Sequence, residues 1–396
     1  MKYLKNRLLI LAPLIAFLVV FIFSLTLFPS VQAQPKNLPI AVFNEDQGID
    51  IPNQPTLNMG QTIVDMMQKN ASSAPGEEPA VKWVEAKSID EVYDGLNNRN
   101  YYAALVIPAD FSQKQASLST PAPVSPEVQI YINQGMNMTA STMAGQILNG
   151  VVDNMNTNVR TQILEGFKKQ GATLTPDQAS SLASPIVKKV TNVNETGPNS
   201  ANGNAPISLF QPLWMASLAS AAILFIAISK IAAKTRKELL ASKLVQIAIG
   251  AVASIIVGFG LTWVADSVVG LHIPQFADTA LFLTITFFSF FLMISAVLSV
   301  VGIRGIALFA LILFFGAPLL ALPPEMLSAF YRDWVYSWLP MRFMVDGLRE
   351  LFFFGKAFSW NHAVSSLTWI GVISMIVILV TTLKPKAVQD QQKLEA

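Results

Sequence analysis

The chain has 396 residues, of which 52% are hydrophobic and only 13% charged, with a net charge of +2 and no cysteine. Soluble domains carry about 25% charged residues, so the deficit points to a membrane protein. Near-neutral charge gives no ground for a nucleic-acid partner, and without cysteine there is no disulfide framework, thiol catalysis or Cys-ligated metal.

In chain order, residues 8–28 form a mostly apolar run behind Lys2, Lys5 and Arg7. About 20 such residues cross a bilayer, and the run exceeds the 7–15 apolar residues of a signal peptide. We therefore read residues 1–32 as an uncleaved membrane anchor, although Val31-Gln32-Ala33 resembles a cleavage site.

Residues 33–206 turn polar and read as an inserted α/β and helical domain. Strands are expected at 38–43, 81–85, 102–107 and 128–132. Between them Leu57, Ile63, Met66 and Met67 recur near helical spacing, Ser88 and Glu91 fit a capping box, and Pro108 suits the first position of a helix. Residues 138–170 read as one long helix with a stripe of Met143, Ile147, Val151, Val159, Ile163 and Phe167. A capped helix near Thr175-Pro176-Asp177 follows, and then "NETGPNSANGNAP", which reads as a flexible tether.

The first strand runs into Asn44-Glu45-Asp46-Gln47-Gly48. Asn, Asp and Gly are turn residues, because their side chains cap local backbone or tolerate positive φ. The alternative is a metal or substrate site, for which Asp50 is the only further ligand nearby.

Residues 207–396 hold five more apolar runs, at 207–229, 244–265, 279–301, 305–322 and 363–383, making six spans with the anchor. Lys230, Lys234, Arg236, Lys237 and Lys243 follow the second run, Arg304 the fourth, and Lys384 and Lys386 the last. By the positive-inside rule these share the cytoplasmic side with both termini, which puts residues 33–206 outside. The loop 266–278 has neither Lys nor Arg.

Between the last two runs, residues 323–360 read as re-entrant or interfacial helices at the outer leaflet. A helix over 342–352 places Arg342, Asp346, Arg349 and Glu350 on one side, and Trp334, Tyr336, Trp338 and Trp360 suit the headgroup level. No P-loop, nucleophile elbow or zincin motif occurs, so we expect neither an enzyme nor a cofactor or metal.

One span, a large outer domain, five spans and an amphipathic excursion before the last resemble the membrane subunits of type-2 ABC exporters. Within them the chain is similar to the YhgE/Pip-like (phage infection protein) group. The resemblance rests on "IAVFNEDQG", "NYYAALVIPADFS", "YINQGMN" and "WLPMRFMVDGLRELFFFG", in that order. It implies a homodimeric or heterodimeric channel in the lipid bilayer, driven by a separate ABC ATPase. Residues 230–243 match the coupling loop, with Lys230, Lys234, Arg236, Lys237 and Glu238 as its contacts; positive-inside retention with no partner is the other reading. The functional expectation is a permease subunit moving an amphiphilic or exported substrate across the plasma membrane. The rival is a non-transporting surface protein, a phage receptor or secretion scaffold, that uses its outer domain to bind protein.

Overall fold

The computed structural model describes residues 34–50, 56–70, 78–231 and 235–383, with Phe17 and Phe21. Apart from those two phenylalanines, the anchor expected at 8–28 lies outside the described residues, as do Lys234, Lys384 and Lys386. The chain divides into two compact units, Gln34–Glu195 and Thr196–Ala396 with Met1–Ala33.

The first unit is built on a five-stranded sheet in the order β2-β1-β3-β4-β5. Its strands are β1 (Leu38–Asn44), β2 (Val81–Glu85), β3 (Ala103–Ile107), β4 (Glu127–Asn133) and β5 (Val187–Val193). Every residue of β3, "AALVI", is buried, as befits a central strand covered on both faces. β1 pairs in parallel with β2 and with β3, β3 pairs antiparallel with β4, and β4 parallel with β5.

Helices α1 (Met59–Asn70), α2 (Ile89–Asn97), α3 (Phe111–Ser117), α4 (Met138–Gln170) and α5 (Pro176–Ala183) connect the strands. At the start of α2, Ser88 Oγ accepts from Glu91 N at 3.1 Å. The returning Glu91 carboxylate accepts from Lys87 N at 2.8 Å, one residue before the position a strict capping box uses. Asn137 caps α4, which ends at Gly171 with φ +62°.

Four expectations for this stretch and its exit are corrected. β5 is a fifth strand between the expected helix and the expected tether, where no strand was read; most of "VKKVTNV" is exposed, so this lysine-bearing edge strand lacks an apolar run. Pro108 does not open α3. Its carbonyl accepts from Phe111 N at 3.1 Å in a turn, and the helix begins at Phe111, which is fully buried. The buried face of α4 is offset by about one residue from the expected stripe and runs Ala140, Ala144, Leu148, Val152, Met155, Val159. Small side chains let this helix lie close on the sheet, and a Cβ on Gly145 would meet Ile132 Cδ1 at 2.7 Å. The residues expected to tether the second span fold into turns instead. Ser200 Oγ donates to Gly197 O and accepts from Gly203 N, while Asn199 O accepts from His272 N at 3.0 Å.

Among the described residues, the second unit has five helices long and apolar enough to cross a membrane. They are α6 (Ala205–Ser229), α7 (Arg236–Trp263, prolonged by a π-helical turn Val264–Val268), α8 (Phe276–Val301), α9 (Ile306–Leu320, led by a 3-10 turn Ile303–Gly305) and α11 (His362–Val380). A shorter helix, α10 (Pro340–Phe353), precedes α11. The spanning window of α8 is 67% buried, against 22–33% in the other four, so α8 is the axis of the bundle. Its Phe290 meets Trp214 of α6 edge to face at 5.1 Å between ring centres.

Candidate functional site

The acidic stretch after β1 lies where the strand order reverses, since β2 and β3 flank β1 on opposite sides. In open α/β sheets ligands bind at such points, outside the carboxyl ends of the strands. Here the chain's own carboxylate fills the place. Asp46 is 7% exposed. Its Oδ1 accepts from Ser112 N at 2.9 Å and Gly48 N at 3.3 Å, and its Oδ2 accepts from Gly60 N at 2.9 Å and from Ser112 Oγ.

Gly60 and Ser112 lie in the first turns of α1 and α3, where free N–H groups favour negative charge. Asn44 Oδ1 accepts from Asp46 N at 3.1 Å, and Asn58 Nδ2 donates to the Asp46 carbonyl. Gly48 takes φ +72°, and a Cβ on Gly60 would stand 2.3 Å from Asn44 Oδ1. Glu45 and Asp50 are exposed, and among the described residues no three His, Asp or Glu side chains gather to hold a metal. Asp46 is thus a clasp joining two strand-to-helix connections.

In the basic segment, Lys230 closes α6 and is exposed. Thr235 opens α7 with a reciprocal capping box: its Oγ accepts from Glu238 N at 3.2 Å, and Glu238 Oε2 accepts from Thr235 N at 3.3 Å. Arg236 and Lys237 stand exposed in that first turn. Lys243 is different. It is 8% exposed, donates to Ser299 Oγ of α8 at 2.9 Å and reaches Gln246 Oε1 at 3.5 Å. Among the described residues, Gln246 Nε2 and Ser295 Oγ are buried without hydrogen-bond partners.

Beyond Lys243, α7 turns Gln246, Gly250, Ser254, Gly258 and Thr262 inward, one every four residues. A Cβ on Gly250 would fall 2.1 Å from the Phe291 ring, and one on Gly258 2.7 Å from Thr284 N, so the two helices pack at close backbone range. Sequence reasoning missed both the buried lysine cluster and this small-residue seam. The four-residue repeat of small side chains was the available signal.

Arg342, Asp346 and Glu350 are the half-buried positions of α10 and share one side of it, while Arg349 beside them is buried. α10 is buried nearly all round, with Met341, Met344 and Leu348 wholly inaccessible and Gly347 against the Phe282 ring. Arg349 is 6% exposed, its guanidinium 4.0 Å from the Asp346 carboxylate. Arg342 lies over the Phe343 and Tyr336 rings at 4.6 and 5.5 Å.

Glu350 accepts from Asn361 Nδ2 at 2.9 Å and sits 3.9 Å from Lys356 Nζ, while Asp278 of α8 accepts from Phe358 N at 2.9 Å. These polar contacts tie the segment to the starts of α8 and α11. Trp334, Trp338 and Trp360 are exposed, but Tyr336 is buried.

A family model for the ABC-2 family transporter protein matches residues 7–383. The protein called "Uncharacterized protein YhgE" of Bacillus subtilis (strain 168) is 23% identical over 132 residues, 33% of this chain and 15% of that relative. The aligned part therefore spans well under two thirds of that relative. No solved structure matches. With the family match running from the first apolar segment to the end of the last, the chain belongs to the ABC-2 family of transporter membrane proteins.

Proposed function

We propose that the chain is the permease subunit of an exporter that moves an amphiphilic or exported substrate outward across the plasma membrane, and that a separate ABC ATPase supplies the energy. The observation that carries this reading is the start of α7. A capped, exposed basic turn at Arg236 and Lys237 belongs to the same rigid helix whose glycine seam grips the bundle axis α8. A force on that turn is transmitted to the centre of the bundle with little loss to side-chain rearrangement.

In this reading both termini and the Lys230–Glu238 segment are cytoplasmic, residues 33–206 lie outside, and two such subunits, identical or different, enclose the path. The Lys- and Arg-free loop at 266–278 supports that orientation. The chemistry of nucleotide hydrolysis belongs to the partner. The outward face of α7, including Val245, Val252 and Ile256, is exposed and apolar and meets lipid or the second subunit.

The test is charge reversal at Lys230, Arg236 and Lys237 to Glu, with membrane insertion measured beside association with the ATPase. The reading expects association and transport to be lost while the inserted amount stays within about twofold of wild type. Unchanged association, or an inverted topology in the variant, overturns it.

A further inference from the structure

Within the α/β unit, a cavity of about 140 Å³ opens between α1, α3 and α4. An apolar cavity of about 150 Å³ holds one benzene molecule, so this one has room for an aryl ring or about six carbons of chain, and because it is open the end of a longer chain can leave through its mouth. Met59, Met66 and Met155 form much of the wall, and their flexible thioethers adapt to ligands of varied shape. Among the described residues, no charged side chain lines the space. Its polar groups are a threonine and three amides, of which Gln115 is the informative one. It is 8% exposed and lines the cavity, and its side chain makes no hydrogen bond among the described residues. Its amide faces the open space of the cavity rather than closed protein, so it is free to bond a ligand's polar end there.

We infer that this cavity binds a neutral amphiphile, its apolar end among the methionines and an uncharged hydroxyl or amide head on Gln115. The inference does not depend on the export reading, because a surface receptor would use the same site.

The experiment uses the full chain in lipid nanodiscs and an eight-carbon alkyl alcohol carrying a diazirine at its far end. After irradiation and proteolysis, adducts are expected on residues 59–66 and 155–162, and 1-octanol should compete at least tenfold better than octanoate or octylammonium. Met66→Trp narrows the mouth at a position that is 40% exposed, and should cut these adducts at least fivefold with the thermal transition unchanged. Gln115→Leu should weaken competition by 1-octanol about tenfold, the worth of one well-made hydrogen bond to a buried group, while leaving octane competition intact. Adducts confined to the membrane helices overturn the inference. So do equal competition by charged and neutral amphiphiles, and labelling indifferent to both substitutions.

Discussion

Replacing Asp46 by alanine removes the acceptor for Gly60 N and Ser112 N, each bonded at 2.9 Å, and weakens the Gly48 turn. Ser112 Oγ keeps its role as acceptor for Met59 N at 2.8 Å, so its loss is smaller. Each buried N–H left without a partner costs about 1–3 kcal/mol. Two such groups, with the capping charge lost from two helix starts, give roughly 3–5 kcal/mol. That is a large share of the ~5–15 kcal/mol that holds a typical domain.

Asp46→Asn preserves the shape and one carbonyl acceptor but turns an NH2 toward a backbone N–H, and should cost about 2–3 kcal/mol. Hydrogen exchange of the purified chain reads both effects at the Gly60 and Ser112 amides. The reasoning expects their protection to collapse in Asp46→Ala and to be indifferent to calcium in the wild type. Protection within 1 kcal/mol of wild type in Asp46→Ala, or a calcium-dependent rise in the wild type, would refute the clasp.

Other consequences can be checked separately. Gly258→Leu places a Cβ against the Thr284 amide and the Ala280 carbonyl, both backbone, and should cost about 1–3 kcal/mol by overpacking, read as a lowered thermal transition in detergent; an unchanged transition contradicts the close seam. Lys243→Met removes a buried cation that has no carboxylate partner among the described residues, and thermal scanning should show a stability equal to or above wild type. Burial first, and then its hydrogen bond with the Tyr93 hydroxyl, pushes the Tyr131 phenol up to about 12. Its protonated form is thus favoured by folding. That contribution is whole below pH 10 and fades as pH rises toward 12, and Tyr131→Phe should flatten the pH dependence of unfolding over that window.

The spans were legible in the sequence because a bilayer crossing is a matter of composition over about 20 residues, and five helices stand where apolar runs were read. β1 and β3 were legible because central strands are continuous apolar runs. β5 was not, since an edge strand such as "VKKVTNV" needs only its backbone to pair and carries lysines outward. The polar pattern of α10 suggests an interface; the bundle buries Arg349 beside Asp346 and sets the half-buried Arg342 against the Phe343 and Tyr336 rings. The Asp346–Arg349 pair is legible from its three-residue spacing, but the burial of Arg349 is not, because that depends on which helices meet. The same holds for Asp46: the turn chemistry of Asn44–Gly48 is written in the residues, but the amides that reach it come from positions 14 and 66 residues further on.

The most direct measurement of the central claim is photo-crosslinking in intact membranes from an unnatural residue at position 237, followed by identification of the captured protein. The account predicts an adduct with an ATP-binding subunit, present in wild-type membranes and lost when Lys230 and Arg236 are both changed to Glu. Adducts with no ATP-binding protein, together with labelling of position 237 by an impermeant reagent from outside the cell, would contradict it.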